Sequence, residues 1–439
     1  MLNQKNNPCG RQMKQLIFFF IVSTYSILAM GTQLSVDLSA EQLEAKLSDS
    51  HGPERIDLLA KLVWVYRNNN YQQAIQYGDQ ALALLEKDRQ PLLETQVLHS
   101  LAWSHMRAGH YELTMKLANQ AVDIATSYGD EEGLAYALNV IGSVEWYRGN
   151  FLSSLDYFLR TLDLRKKIGE KLNIARSYNN IGSVYQEIED YTNARIYHEK
   201  SLALMEALGN RYGVAASYFN LGIIYQRLGN KKKEEYYLEH ANIAFTELDD
   251  QAALSEVQIN LGYFKLKQNK LDVALAFFNL SQIAAKQLNN RSLLARSILG
   301  LGQVAFLKNQ YQQSERLTEK ALAISQQLNE RPQIRDAYEL LSKTYQSRGK
   351  FEASLTAFKH FISIKNKILS EKQEGKIALL TQQFEAQKAK RQKQFLTREK
   401  DYEKRHFNLL LLGIFLVVCL LATIVLLWLK LKSIRQLDS

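Results

Sequence analysis

Cysteine is nearly absent from this chain, and the two that occur, Cys9 and Cys419, lie at its extremities. The long middle region therefore has no disulfide framework and no cysteine nucleophile. Eight histidines (His51, His99, His105, His110, His198, His240, His360 and His406) are scattered, and none pairs with Cys or acid at metal-ligand spacing. No glycine-rich loop of the phosphate-cradling kind occurs. Proline is scarce too, with four residues in the chain. Acid is missing from residues 1–31, and charge of either sign is missing from residues 16–30 and from Leu409 to Leu429. Counted without those ends and without residues 372–439, the region 32–371 holds 39 basic and 39 acidic residues. The net charge of +10 thus belongs to the two ends and is no argument for nucleic acid. No metal site, no cofactor and no enzymatic activity are expected.

What the chain has is a repeat. Tyr71, Tyr111, Phe151, Tyr191, Lys231, Leu271, Tyr311 and Phe351 share one slot at a spacing of 40 residues. Three residues on, a second slot is mostly small: Ala74, Thr114, Ser154, Ala194, Glu234, Ala274, Ser314 and Ser354. A third reads Leu101, Ile141, Ile181, Leu221, Leu261, Leu301 and Leu341, followed by Ala102, Gly142, Gly182, Gly222, Gly262, Gly302 and Ser342. A fixed period of this size predicts a stacked array and not a single central core. Two series of breakers divide each unit into two helices. One is Asn69, Gly109, Gly149, Glu189, Gly229, Asn269, Asn309 and Gly349; the other is Gly129, Gly169, Gly209, Asp249, Asn289 and Asn329. Gly and Asn tolerate the left-handed conformation that ends a helix. Pro53, Pro91 and Pro332 fall between units, where a helix starts and a missing N–H costs little.

The stretch SYNNIGSVYQEIEDYTNARIYHEKSLAL, residues 177–204, resembles a tetratricopeptide repeat in its long, 40-residue form. Asn180, Ile181, Gly182, Tyr185, Tyr191, Ala194 and Leu202 carry the likeness. It implies an all-α superhelical solenoid of eight 40-residue hairpins over residues 53–371, with a capping segment at 32–52. Units five and six depart from the pattern at Lys231, Glu234 and Lys265, so looser packing or a partner is expected there.

The ends read as membrane-linked. Lys5, Arg11 and Lys14 precede the apolar residues 16–30, and Ala29 and Gly31 suit signal-peptidase cleavage, so residues 1–31 read as a signal peptide. The run Leu409 to Leu429 covers roughly 30 Å as a helix, with Trp428 and Lys430 at its end. Residues 407–430 are expected to span a membrane and 431–439 to form a cytoplasmic tail. Residues 372–406 read as a long juxtamembrane helix. Ile377, Leu380, Phe384, Phe395 and Tyr402 give it a thin seam, so a coiled coil (hence a homodimer) and a single solvated helix both stay open. Lys393, Arg398, Lys400, Lys404 and Arg405 precede the run, which by the positive-inside rule favours a tail-anchored cytosolic protein. The signal-like start favours export and a single-pass inner-membrane protein with its array in the periplasm.

In arrays of the resembled family the first helix of each unit lines a concave face. Rows on that helix include Asn180, Asn220 and Asn260; His99, Asn139 and Asn179, continuing as Phe219 and Ile259; Trp146, Gln186 and Gln226; and Arg107 and Arg227. Asn and Gln amides can serve the backbone of an extended peptide, and Arg107, Arg176 and Arg227 can meet carboxylates. The same asparagines can equally bond the neighbouring helix. On the ligand reading, Asn180→Ala with Asn220→Ala lowers partner affinity and leaves melting nearly unchanged. The layout is similar to the periplasmic input half of bacterial membrane sensors with cyclase or kinase output. Neither a GGDEF-like loop nor a kinase box is present here, so the expected protein is a sensor or scaffold module that binds a protein or peptide. Any output then comes from a separate cytoplasmic partner.

Overall fold

A computed structural model describes residues 39–67, 70–370 and Thr423. The chain divides into a unit Met1–Gly375 and a unit Lys376–Ser439, and the helix pairs all belong to the first. That unit is helical throughout, with seventeen helices and no strand among the described residues. A short α1 (Ala40–Leu47) precedes the pairs. These are α2 (Gly52–Tyr66) with α3 (Tyr71–Leu85), α4 (Pro91–Arg107) with α5 (Tyr111–Tyr128), and α6 (Glu131–Arg148) with α7 (Phe151–Ile168). Then come α8 (Lys171–Glu187) with α9 (Tyr191–Ala207), α10 (Arg211–Arg227) with α11 (Lys231–Glu247), and α12 (Gln251–Lys267) with α13 (Leu271–Gln287). The last are α14 (Arg291–Leu307) with α15 (Tyr311–Gln327), and α16 (Arg331–Ser347) with α17 over residues 351–370.

Local chemistry sets both ends of these helices. Side chains of Asn70, Asp130, Asp190, Asn210, Asn230, Asp250 and Asn290 each accept from the backbone N–H three residues on, satisfying an orphan donor of the first turn. Pro53, Pro91 and Pro332 sit in the first turns of α2, α4 and α16. Both breaker series take positive φ at every described position, Asn69 lying outside the described residues. Six are not glycine, and Glu189 (φ 62°) has the side chain least suited to that region. No breaker interrupts α17, where Leu369 stands 40 residues after the stop at Asn329; the further course toward residue 406 lies outside the described residues.

Five of the eight hairpins close where the first helix has no side chain. A Cβ on Gly182 would lie 2.9 Å from Cε1 and Nε2 of His198, and one on Gly142 would lie 2.9 Å from Cε1 of Phe158. Gly222 meets Leu238, Gly262 meets Phe278 and Gly302 meets Thr318 in the same way, at 2.7 Å. One slot on the second helix, recurring every 40 residues, therefore fills the space that the glycine leaves. The rings of Phe158 and Phe278 are wholly buried there, each worth about 2–3 kcal/mol of removed apolar surface. The core is accordingly a chain of overlapping clusters. One joins Met106, Tyr147, Phe158 and Ile181 from successive units, and another joins Met205, Leu238, Phe245 and Val257.

Units five and six are not loosened where the pattern breaks. Lys265 is buried, and its Nζ donates to Glu235 Oε1 at 2.7 Å and to Glu239 Oε1 at 3.1 Å. Burial alone would pull the Lys265 ammonium down, yet these two carboxylates hold it above its usual range. Glu234 is buried as well, and its Oε1 accepts from Gln226 Nε2 at 2.9 Å. Internal polar bonds thus account for Glu234 and Lys265, whereas Lys231 is exposed. Among the described residues no helix is long and apolar enough to cross a membrane. Residues 1–31, the seam at 372–406 and the run Leu409 to Leu429 lie outside the described residues.

Two outcomes follow from the hairpin contact. Gly182→Leu should cost more than about 1 kcal/mol by overpacking against His198, read as a lower midpoint in urea. The His198 ring is fully buried, neither ring nitrogen has a hydrogen-bond partner, and burial pulls it down to about 3. A folded-state value below the unfolded one means that the unfolded chain takes up the proton first. Stability should therefore fall as pH drops from about 6.5 toward 3, by up to about 1.4 kcal/mol per pH unit from this ring. His198→Leu copies Leu238 of the next unit and should make that decline shallower; an unchanged slope would show that the ring contributes nothing to it.

Candidate peptide groove on the first helices

The first helices of successive units bond directly to one another. Asn180 Nδ2 donates to Asn139 Oδ1 at 3.0 Å, linking α8 to α6, and Asn220 Nδ2 donates to Asn179 Oδ1 at 2.9 Å, linking α10 to α8. Asn173 Nδ2 donates to the Tyr136 hydroxyl at 3.2 Å. Further along, Arg296 pairs with Glu256, and Ser292 Oγ donates to Glu330. Helix-to-helix contact recurs between first helices, as in α2 with α4, α4 with α6, α12 with α14 and α14 with α16. Second helices pack chiefly on the first helices at either side. Rows that touch their own kind lie on the inside of a bend, so the first helices form the inner wall.

Most of the amides singled out in the sequence are spent on this stacking. Asn179, Asn180 and Asn220 are buried and Asn139 is partly so. The pairing needs an acceptor in one slot and a donor one residue further on in the next unit. It ends where Phe219 replaces the acceptor, and Asn260 Nδ2 turns to Glu256 O of its own helix at 2.8 Å. Trp146 is not on the wall. It packs in the core with Tyr147 and Phe151, at centroid separations of 5.4 and 6.4 Å, because position 146 falls on the flank facing the next hairpin. Gln186 and Gln226 are partly buried, and Gln226 is bonded to Glu234. Arg107 is partly buried beside Tyr147 and Tyr71, and burial lowers its guanidinium from its usual range. Arg227 is exposed at the end of α10. Arg176 does lie on the inner wall, partly buried, with Nη1 donating to Asn173 Oδ1 at 3.2 Å.

The informative row is the one that runs through Arg176. At 40-residue spacing it reads Gln96, Tyr136, Arg176, Ala216, Glu256, Arg296 and Asp336, and most members are partly exposed. Its beginning is aromatic and basic. Trp64 stands edge-on to Tyr136 at 5.1 Å and to His99 at 6.1 Å, and His99 stacks on Tyr136 at 5.0 Å. The Arg67 guanidinium carbon lies 2.9 Å from the centroid of the Trp64 ring. Arg165, buried, donates to Asn173 O at 3.1 Å and to Ser177 Oγ at 2.8 Å. Burial, and then the neighbouring Arg67 charge, pull His99 down to about 3, so it is neutral near pH 7. The middle of the wall is apolar, with Ala216, Phe219 and Ile223. Its far end holds Glu256, Arg296, Asp336 and Glu330; burial raises the Asp336 and Glu330 carboxyls above their usual range.

Sequence reading missed Arg67, Trp64, Tyr136 and Arg165. Tyr136 was within reach, being Arg176 minus 40. Trp64 and Arg67 come from the first unit, where the period is least regular, and Arg165 comes from a second helix. Among the described residues, no group of His, Cys, Asp and Glu could hold a metal ion.

Residues 173–241 and 293–367 match the family model for the tetratricopeptide repeat. No curated protein sequence matches the chain. Among solved structures, a Rap protein complexed with Competence and Sporulation Factor is 18% identical, with a TM-score of 0.55, covering 83% of this chain and 100% of that one. The apo form of the quorum sensor NprR from B. thuringiensis is 13% identical, with a TM-score of 0.57, covering 81% and 98%. Aspartyl phosphate phosphatase F from Bacillus subtilis is 12% identical, with a TM-score of 0.56, covering 83% and 96%. At such identities these likenesses concern the fold alone.

Because the asparagine bonds are buried, Asn180→Ala with Asn220→Ala should cost about 1–2 kcal/mol at each position. Thermal unfolding of the double variant checks this, and an unchanged midpoint would return those amides to the ligand.

Proposed function

We propose that the array binds an extended peptide or protein segment along the inner wall of its first helices and performs no catalysis of its own. One observation carries this reading. The slot that closes the middle hairpins repeats one residue, as Gly142, Gly182, Gly222, Gly262 and Gly302 do. The row Tyr136, Arg176, Ala216, Glu256, Arg296 and Asp336 instead changes chemistry at every step, and all but the buried Ala216 are partly exposed. A wall of constant spacing and varied chemistry is what reading successive residues of a ligand requires. Two similar folds are described with peptide or factor bound, the Rap protein complexed with Competence and Sporulation Factor and the Rap regulator of plasmid pLS20 in complex with the Phr* peptide. That agrees with the proposal without establishing it.

The wider setting is likewise our reading. The module is exported, tethered by the run Leu409 to Leu429, and acts as a sensor or scaffold in signal transduction with its output supplied by a separate protein. The basic start with apolar residues 16–30 supports export. A ligand drawn into the groove would act through residues 372–406, whose sequence reads as a juxtamembrane helix. The second reading, a tail-anchored cytosolic adaptor, is favoured by the five basic residues between Lys393 and Arg405.

Two measurements test these readings. Peptides selected from a displayed random library on the full chain should lose about tenfold or more in affinity to Ile223→Glu. The melting temperature of that variant should stay within a few degrees of the wild type, since Ile223 is only partly buried on the wall. Equal affinity would remove the groove from the binding site. Protease added to intact spheroplasts should digest the array; protection would instead place it in the cytosol.

A further inference from the structure

The array is capped at one end and bare at the other. At its start α1 covers the first pair, with Leu43 and Leu47 buried in the cluster that α2 and α3 form. At its end no further first helix follows α17 among the described residues. In earlier units the next first helix covers one stripe of each second helix. On α7 that stripe is Phe151, Leu155, Phe158 and Leu162, which pack with Ile181 and Val184 of α8. On α13 Phe278 fills the space beside Gly300 of α14. The same slots on α17 hold Phe351, Leu355, Phe358 and Ile362. Phe158 is fully buried, whereas Phe358 is 48% exposed, Leu355 55% and Phe351 71%, with Ile362 half-buried. The last unit of such an array ordinarily turns a polar face outward. Here the stripe leaves on the order of 400 Å² of apolar surface open, a size at which a patch marks an interaction site.

The stripe advances by four, three and four residues, which is the spacing of a coiled-coil seam, and such a seam complements a copy of itself. The capped start offers no matching bare stripe, so copies do not add head to tail and pairing closes as a two-fold dimer. We infer that α17 pairs antiparallel with α17 of a second copy. That register sets Phe351 against Ile362 of the second copy and Leu355 against its Phe358, and the two-fold axis repeats both layers. It also sets the exposed Glu352 beside Lys359 of the second copy, again twice, on one flank of the seam. Parallel pairing would instead press Lys365, next in the seam after Ile362, against its own copy, where like charges repel. The antiparallel seam ends before Lys365. Two copies bury on the order of 1,000 Å² in this way, the low end for a specific interface, so the dimer is reversible. The pairing uses neither the inner wall nor residues 372–406.

Sedimentation velocity of the full chain in a mild detergent tests the interface. The wild type should dimerise reversibly as its concentration rises. Leu355→Glu should raise the dissociation constant about tenfold or more. Its far-UV circular dichroism should stay that of the wild type, since Leu355 is exposed within one copy. Glu352→Lys should weaken the dimer as well, and adding Lys359→Glu to it should restore the wild-type constant. A wild type that stays monomeric, or a dimer indifferent to Leu355→Glu, overturns the interface. Failure of Lys359→Glu to rescue Glu352→Lys overturns the antiparallel register. Disulfide trapping reads that register directly, in chains carrying Cys9→Ser and Cys419→Ser. Phe351→Cys and Ile362→Cys chains should form a covalent dimer on oxidation when mixed, and neither should do so by itself. Cross-linking of each variant with itself shows parallel helices and overturns the antiparallel assignment. No cross-link in a mixture of folded chains overturns the stripe as the contact.

Discussion

The five middle units of this array depend on two helices approaching more closely than side chains ordinarily allow. Gly142, Gly182, Gly222, Gly262 and Gly302 leave out the side chain, and Phe158, His198, Leu238, Phe278 and Thr318 fill the room that remains. The contact fixes how each second helix lies on its first. It thereby fixes which flank of the first helix faces the next unit and which faces inward. The residue that fills the gap differs from unit to unit, so stability is distributed unevenly along a regular frame. Phe278 is gripped from two sides, by Gly262 in its own unit and by Gly300 in the next. His198 brings an unbonded imidazole into the same place and makes the middle of the array sensitive to acid.

Stacking uses a second set of contacts, and here polar groups do work that apolar ones do elsewhere. The Asn139–Asn180 and Asn179–Asn220 bonds and the Glu256–Arg296 pair join the first helices of successive units, and the Lys265–Glu235–Glu239 cluster joins α12 to the α11 before it. Such groups are buried at a cost unless each finds its partner; the Lys265 ammonium does, whereas Oδ1 of Asn220 and Oε2 of Glu330 do not. Arg67 is another that does not. It has burial and an aromatic lid but no hydrogen bond at Nη1, at the same end of the wall where His99, Tyr136, Arg165 and Arg176 gather.

The inner wall and the fold carry different kinds of information. Fold-level likeness to the Rap and NprR structures spans four fifths of the chain at identities below 20%, which speaks to packing slots. The row through Arg176, which we propose as the binding face, has a chemistry that runs from basic and aromatic, through apolar, to acidic and paired. That order gives the groove a direction, because an extended ligand with one acidic end fits it one way round.

The helix pairs, their limits and their period were legible along the chain, because each rests on local chemistry. A left-handed stop at Asn289 or Glu189, an acceptor at Asp190 and a proline in a first turn act within a few residues and do not need the rest of the protein. The glycine slot was legible too, since a missing side chain recurring every 40 residues has one economical meaning. What the asparagines do was not legible, because an amide serves a neighbouring helix or a ligand equally well until its partner is known. Nor was Lys265, where a charge in an aromatic slot reads as a defect until Glu235 and Glu239 are seen beside it. The bend of the array, which sets Arg67 of the first unit near Arg176 of the fourth and buries both around Tyr136, arises from many inter-unit contacts summed over distance. No local pattern encodes that sum, so only the tertiary structure decided where the wall carries an unpaired charge.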